Sequence, residues 1–509
     1  MSQRRDLWNS RMGVILAMAG NAIGLGNFLR FPTQAAQNGG GAFLIPYFVA
    51  LLLIGMPLMW CEWAMGRYGG VRGRGSAPGV LHLLAGQRWA RYLGVLGVVL
   101  PLSVLCYYLY IMSWTLAYAV AFLLRQAPLE ATLDAMSRHL TEFQGVNLAA
   151  GVSITAYAFF LVATVFTYLV LSGGISRGIE RLATWGMPLL FVLGIALAIR
   201  VLTLPNASAG LGFLWNPDLS LLRSGRVWLS AAGQVFFTLS LGFGCVISYA
   251  SYLRKNNDVV ITGLSTIATN EFAEVILGAS IAIPAAVVFF GIAGTREIAA
   301  SGTFNLGFVA MPAVFVQMPW GSFFAVLWFV LLFIAGITSA VALCQPAVTF
   351  LEDEMGWTHS RAVRTVAGVM AVLAHVPVMG LKYGALDELD FWAGKVGIAF
   401  FALIELIVFV WIFGPRKAWN EIHQGAEVRI PRFFFPIICY VARVLLLIIL
   451  GVWIAQEDPA FWRLSNVEGA AKAWRWGVRA MIVGLIVAVG GMVRHSRKRD
   501  RLIQRREQP

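Results

Sequence analysis

Twelve apolar segments, each long enough to cross a lipid bilayer, constrain this chain more than any other feature of its sequence. A helix needs about 20 apolar residues to cross a hydrocarbon core of roughly 30 Å. Runs of this length predict a polytopic, all-α membrane protein, and the longest of them predict tilted helices. The predicted spans lie near 11–36, 41–69, 90–124, 149–172, 180–204, 227–253, 260–291, 320–352, 361–379, 387–413, 431–455 and 472–494.

The composition agrees with a protein that faces lipid. Only 13% of the 509 residues are charged, whereas a soluble protein carries about 25%. The net charge of +14 does not indicate nucleic acid, because the basic residues lie in short clusters between apolar runs rather than on one face. The five cysteines lie inside apolar runs without CxxC spacing, so we expect small buried side chains there.

The distribution of Lys and Arg predicts the orientation. With the N-terminus inside, 25 of the 39 basic residues lie on the cytoplasmic side, 11 lie on the opposite side and three lie within spans. The positive-inside rule then places both termini in the cytoplasm. The first apolar stretch has no clear small-residue cleavage site, so we expect it to be retained as a span.

The first span should not be a continuous helix. Its middle, residues 20–27, reads GNAIGLGN and places three glycines and two asparagines at membrane depth. Glycine costs roughly 1 kcal/mol in a helix interior relative to alanine. Broken backbone survives in the bilayer only where it is buried in protein or lines a cavity.

The sixth span carries a second interruption, where Thr238, Ser240, Gly242 and Gly244 divide an aromatic-aliphatic run. A single interruption of this kind is also typical of a glycine at a helix contact. Two interruptions at corresponding places of two halves indicate a transporter binding site. They predict a 5+5 inverted repeat, spans 1–5 and 6–10, with discontinuous helices 1 and 6.

This repeat predicts one transporter domain over 1–509. Its predicted parts are a cytoplasmic N-terminus, two five-helix repeats, two accessory helices and a basic cytoplasmic tail, at 1–10, 11–204, 227–413, 414–494 and 495–509.

Unwinding a helix frees amide groups that suit a carboxylate and carbonyl groups that suit hard cations and ammonium. An amino-acid zwitterion with sodium fits both ends.

The motifs around these breaks resemble the neurotransmitter:sodium symporter family, most closely its bacterial leucine transporter (LeuT-like) branch, whose substrate site lies between broken helices. The resemblance runs from Trp8 to about Ile412 and implies a LeuT-type fold with 12 transmembrane helices. The matching stretches include NAIGLGNFLRFP at 21–32, NGGGAFLIPY at 38–47, GQVFFTLSLGFG at 233–244, AGITSA at 335–340, FLEDE at 350–354 and LDELDFWAG at 386–394.

The resemblance implies a set of substrate contacts. The carboxylate would meet the amides of Leu25 and Gly26 and the hydroxyl of Tyr108. Relatives that carry monoamines have an aspartate where this chain has Gly24, which favours a substrate that brings its own carboxylate. The full implied set is Ala22, Leu25, Gly26, Val104, Tyr108, Phe237, Thr238, Ser240, Phe243, Ser339 and Leu343.

The resemblance also implies two sodium ions. The first would use Ala22, Asn27, Thr238 and Asn270 together with the substrate carboxylate, so that ion and substrate each strengthen the binding of the other. The second would use Gly20, Ile23, Ala335, Thr338 and Ser339. Without the family context, ordinary bonding of the hydroxyls of 338 and 339 to their own helix explains that pair equally well.

Gates and a buried acid complete the implied site. Arg30 and Asp390 would form an outer gate, with Tyr108 and Phe243 as the lid. Glu274 stands where chloride-dependent relatives have a serine, so a built-in carboxylate would make transport chloride-independent. Arg5 and Asp353 would form the inner gate beside Trp8 and Tyr252, although Arg5 also fits a plain topology signal.

The sequence therefore predicts a sodium-coupled symporter of small to medium neutral amino acids such as leucine, methionine or alanine. The expected setting is a cell inner membrane and its lipid bilayer, without nucleic acid or enzyme activity, and a homodimer is compatible with it. Two alternatives stay open: a proton-coupled or exchanging permease of the same fold, and a transport-dead sensor. A membrane enzyme is disfavoured, because no nucleophile–base pair lies in a polar loop. Lys395 has no assigned role.

Overall fold

The molecule is a bundle of long apolar helices. The computed structural model describes residues 8–128, 130–456 and 458–507, with side chains as far as Ser496, and no strand occurs in these ranges. They contain ten helices long and apolar enough to cross a bilayer, and one bent pair that makes an eleventh span. The ten are Gly41–Gly70, Ala90–Leu123, Ile154–Ser172, Ile175–Leu202, Val259–Ser301, Gly321–Asp353, His359–Met379, Ala385–Ile412, Phe434–Gln456 and Gly469–Ser496.

The bent pair is span 1, made of Arg11–Ala22 and Gly26–Gln37. The predicted sixth span consists of two shorter helices, Gly225–Thr238 and Cys245–Ala250. Neither is long enough to cross a bilayer alone, which explains why eleven spans rather than twelve pass a test of length. Numbered in chain order with this broken pair as span 6, the helices correspond to the twelve predicted segments.

Several boundaries differ from the sequence prediction. Span 7 continues to Ser301 through a non-helical residue, Gly291, and the last helix runs on to Glu507. Shorter helices lie between the spans, at Ala77–Ala85, Leu133–Gln144, Ala207–Trp215, Leu219–Arg223, Leu306–Gln317, Pro415–Ile422 and Pro459–Arg463.

Span 3 and span 8 form the centre of the bundle and pack along each other. Span 3 is buried almost throughout, whereas spans 4, 5 and 12 expose most of their apolar side chains. Isolated exposed apolar residues are normal in soluble proteins, but contiguous faces of this size indicate an apolar surrounding. The two broken helices, spans 1 and 6, lie against this centre, so their breaks are enclosed by protein.

Candidate substrate and ion site

The break in span 1 is a short extended step. The helix ends at Ala22, Ile23 has extended backbone angles, and the chain continues from Gly26 at a bend of 49°. A Cβ atom on Gly24 would lie 2.7 Å from the hydroxyl oxygens of both Ser339 and Tyr108. A larger residue here would require one of these hydroxyl groups to move. The predicted interruption of this helix is confirmed.

The break in span 6 is longer and more irregular. Residues 239–244 are not helical, and Ser240, Gly242 and Gly244 have φ values of 52°, 70° and 73°. Glu62 of span 2 accepts a hydrogen bond from the Gly242 amide at 2.8 Å. An amide freed by unwinding must find a partner inside the membrane, and this carboxyl group supplies it.

Gly242→Ala should destabilise the protein. Its φ is in the left-handed region, and a Cβ would lie 2.2 Å from the carbonyl oxygen of Ile398. The left-handed backbone alone costs about 1–2 kcal/mol, so we expect a loss of at least about 2 kcal/mol in unfolding free energy. Thermal unfolding in detergent measures it, with Gly225→Ala as control because nothing lies within 4 Å of that Cβ. Equal midpoints for the two variants would contradict the expectation.

The two breaks face one enclosed cavity of about 30 Å³. Ten of the eleven predicted substrate contacts line it, and Leu25 is the exception. Leu25 lines a second cavity, and its amide donates a hydrogen bond to the Tyr108 hydroxyl at 3.0 Å. The central cavity is lined by Asn21, Ala22, Gly24, Gly26, Asn27, Val104, Tyr108, Phe237, Thr238, Ser240, Phe243, Ser339 and Leu343.

One wall of the central cavity is apolar and the other is polar. Val104, Phe243 and Leu343 supply the apolar wall, and the broken backbone supplies the polar one. Asn21, which the sequence did not single out, is buried at this wall, and its side-chain amide bonds no other described residue. Ser240 donates a hydrogen bond to the Asn21 carbonyl at 3.0 Å, which joins the two breaks.

The second cavity, of about 40 Å³, shares Gly26, Tyr108 and Phe237 with the first. Tyr108 and Phe237 therefore separate the two cavities, whereas Phe243 lines only the central one. The predicted lid residues, Tyr108 and Phe243, both line the central cavity, and their role as a lid stays a prediction. Phe237, which was not predicted for the lid, lines both cavities.

Arg30 and Asp390 meet at the second cavity, as predicted. The Arg30 guanidinium lies 3.4 Å from Asp390 Oδ1 and stacks over the Phe237 ring at 4.3 Å. Tyr107, which the sequence did not single out, donates to the same carboxylate oxygen at 2.9 Å. The ion pair and the lid thus lie next to each other, joined through Phe237.

The residues predicted for the first sodium form one cluster. Asn27 Nδ2 lies 2.8 Å from Asn270 Oδ1 and 3.2 Å from Thr238 Oγ1. The Asn27 oxygen accepts a hydrogen bond from the Gly24 amide at 2.8 Å. These side chains come from spans 1, 6 and 7 and are buried. Neutral oxygens in an enclosed cluster fit the ligand chemistry of a hard cation.

Glu274 lies directly beside this cluster. It accepts hydrogen bonds from Thr238 and Gln234, from Tyr47 at 2.9 Å and from Asn270 at 3.2 Å. Tyr47 and Gln234 were not predicted, since they come from other spans and only the fold brings them here. The side chain of Glu274 is completely buried. Its carboxyl group directly contacts Thr238 and Asn270, two members of the cluster.

The residues predicted for the second sodium also come together. Ser339 Oγ lies 3.2 Å from the Gly20 carbonyl, 3.3 Å from that of Asn21 and 3.4 Å from that of Ile23. Thr338 Oγ1 lies 3.1 Å from the Ala335 carbonyl. Thr338 Oγ1 also donates a hydrogen bond to the Ile334 carbonyl, and both of these carbonyl groups belong to the same helix as Thr338. The oxygens of span 8 and of the span 1 break therefore converge.

Of the residues predicted for the inner gate, Arg5 lies outside the described residues. Trp8 donates to the Tyr249 carbonyl at 3.1 Å, and Asp353 accepts from the Gly75 amide at 2.6 Å. Tyr252 bonds Thr349 and Gln345. Glu180, which was not predicted, accepts from the amides of Asn9 and Ser10 at 3.0 and 3.2 Å and so holds the start of span 1.

Within the described part of the chain, no group of three or more His, Cys, Asp or Glu side chains could hold a metal ion. Among these residues, the two oxygen clusters are the candidates for binding ions. Two broken helices around a closed cavity, deep in a membrane-spanning bundle, define a secondary transporter.

Comparison with known proteins supports this class. A model of the sodium:neurotransmitter symporter family matches residues 5–136 and 134–496. An uncharacterized sodium-dependent transporter of Methanocaldococcus jannaschii is 33% identical over 84% of this chain and 86% of its own length. One from Haemophilus influenzae is 30% identical over 88% of this chain and 98% of its own length.

The solved structure of MhsT in complex with L-phenylalanine is 30% identical, with a TM-score of 0.76, and covers 88% of this chain and 99% of MhsT. The chain belongs to the sodium:neurotransmitter symporter family and is a sodium-dependent membrane transporter with the LeuT-type fold. The family and the fold class predicted from the sequence are thereby confirmed.

Proposed function

We propose that this protein couples the entry of sodium to the uptake of a neutral amino acid with a small to medium apolar side chain. Leucine, methionine and alanine are the expected substrates. The observation that carries the proposal is the central cavity, whose lining combines broken backbone with apolar side chains. Transport would proceed by alternating access across the cell inner membrane, with both termini in the cytoplasm.

The broken backbone supports recognition of a zwitterion. Helix N-termini carry partial positive charge and suit a carboxylate, and span 1 restarts at Gly26 beside the Tyr108 hydroxyl. The helix end at Thr238 presents carbonyls that suit an ammonium group. The side chain would then point to Val104, Phe243 and Leu343.

Two sodium ions are proposed as co-substrates. The first would bind at Asn27, Thr238 and Asn270 with the substrate carboxylate as a further ligand. The second would bind between the span 1 break and the hydroxyls of Thr338 and Ser339. Because the second site joins span 1 to span 8, its occupation would keep the inner half of span 1 against the bundle.

Chloride independence is part of the proposal and rests on Glu274. Its buried carboxyl group bonds Thr238 and Asn270, two of the proposed ligands of the first sodium. A carboxylate at this position would supply the negative charge that an anion supplies in chloride-dependent relatives. The human relative named sodium- and chloride-dependent GABA transporter 2 is 27% identical over 82% of this chain.

The complex of MhsT with L-phenylalanine supports the amino-acid class. Discrimination among apolar side chains is expected to be modest, because one methylene changes binding by only about 1–3 kcal/mol. Phenylalanine therefore belongs in the substrate panel together with leucine, methionine and alanine.

Uptake by proteoliposomes tests the proposal. Purified protein is reconstituted, and uptake of labelled leucine, methionine, alanine and phenylalanine is measured under an inward sodium gradient. We expect uptake that disappears with potassium and persists when gluconate replaces chloride. Sodium-independent uptake would indicate a proton-coupled or exchanging permease instead. Sodium-dependent binding without uptake would indicate a sensor.

A further inference from the structure

Lys395 of span 10 is a charged residue near the outer ion pair that the proposed function leaves without a role. Its ammonium group lies 3.9 Å from Asp390 Oδ2. The side chain is 45% exposed and that of Asp390 is 22% exposed. The lysine is thus the more solvated partner of a carboxylate that already binds Arg30.

The local backbone explains how two residues five positions apart come together. In an α-helix, side chains five positions apart point about 140° away from each other. Residues Asp390–Gly397 form a π-helix instead, with a wider turn and i→i+5 hydrogen bonds. In this wider turn, five residues make about one turn, so Lys395 lies on the same side of the helix as Asp390.

Gly394 completes the arrangement. A Cβ atom at this position would lie 2.6 Å from Asp390 Oδ1 and 3.2 Å from the Tyr107 hydroxyl. The glycine therefore leaves space for the carboxylate to lie along the π-helical turn. Single π-helical turns inside α-helices frequently occur at functional sites, and this one carries both Asp390 and Lys395.

The two oxygens of Asp390 face different cations. Oδ1 meets Arg30 of span 1 and the Tyr107 hydroxyl, and Oδ2 faces Lys395 of its own helix. Opening the outer gate separates Arg30 from Asp390, because these two residues belong to different spans. Lys395 stays with Asp390 in both states, because both belong to one helical turn.

We propose that Lys395 is a second cation of the outer gate, which weakens the closed Arg30–Asp390 pair and so favours opening. The attraction between Lys395 and Asp390 is present in both states and largely cancels. The repulsion between Lys395 and Arg30 acts mainly in the closed state. This inference rests on the proposed function and on the outer gate of Arg30 and Asp390 that the family resemblance implies.

Cysteine labelling measures how often the outer cavity is open. Ile111 lines this cavity and is buried in the closed arrangement, and the five native cysteines are buried. Ile111→Cys protein, in sodium without amino acid, is treated with a charged methanethiosulfonate reagent, and the labelling rate is measured. Unchanged background protein controls for the native cysteines.

Lys395→Gln should lower the labelling rate by about two- to fivefold. This is the change expected when one interaction between partly exposed charged side chains is lost. Lys395→Arg keeps the charge and should leave the rate near that of the parent. Lys382→Gln is the matched control, because Lys382 is an exposed lysine close in sequence that bonds the Leu148 carbonyl instead. In an Arg30→Ala background, which removes the cation that Lys395 repels, Lys395→Gln should have no such effect.

The gate and the role of Lys395 can fail separately. Arg30→Ala and Asp390→Asn should both raise the labelling rate if the pair is a gate. If they do not, the gate and this inference are both overturned. If they do, but Lys395→Gln labels as fast as the parent or retains its full effect with Arg30→Ala, only the role of Lys395 is overturned.

Discussion

Gly24→Asp is expected to lower amino-acid binding by about a thousandfold or more. Gly24 lies in the span 1 break between the hydroxyls of Ser339 and Tyr108. An aspartate there places a carboxylate where the carboxylate of the substrate is proposed to bind. Two like charges in an enclosed site of low dielectric repel strongly, and the added side chain also fills the cavity.

Equilibrium binding of labelled leucine to purified protein measures the loss. Gly24→Asn is the control, since it adds a side chain of the same size without the charge. The difference between the two variants isolates the electrostatic part, and size-exclusion chromatography verifies folding. Binding by Gly24→Asp within tenfold of the parent would show that the substrate carboxylate lies elsewhere.

Glu274→Ser should convert the protein from chloride-independent to chloride-dependent binding. In gluconate, sodium-dependent leucine binding should fall by at least about a hundredfold, because removing one partner of a buried charge pair costs about 3–5 kcal/mol. The serine leaves a space that is lined by Tyr47, Gln234 and Asn270, the present partners of Glu274. Chloride in that space should restore most of the binding.

Glu274→Gln distinguishes the effect of the lost charge from the effect of the space that a smaller side chain leaves. It removes the charge but fills the position, so added chloride should not restore binding. Leucine binding is measured for both variants across a chloride titration at constant sodium. The role of Glu274 would be contradicted if the serine variant bound normally in gluconate, or if chloride restored both variants equally.

Both breaks could be predicted from the sequence because glycine, asparagine and serine stand out within apolar helices. The oxygen clusters were predictable only through the family resemblance, since Asn27, Thr238 and Asn270 belong to three different spans. Their further partners, Tyr47 and Gln234, required the fold. No sequence spacing indicates which side chains of separate helices meet inside a bundle.

Two other features depended on local backbone that departs from the α-helix. Phe237 lines both cavities, whereas Phe243, beyond the unwound segment, lines only the central one. Lys395 reaches Asp390 through a π-helical turn, whereas α-helical spacing places them on different faces. Helical periodicity fails at these positions, and they are the ones next to the proposed site.

In the proposed site, the carboxylate of the bound amino acid is itself a ligand of the first sodium ion, between the two broken helices. Leucine affinity measured across a sodium titration, and sodium affinity measured across a leucine titration, test this most directly. Because linkage is reciprocal, sodium should raise the affinity for leucine by the same factor by which leucine raises the affinity for sodium. Equal leucine affinity in sodium and in potassium would contradict the account.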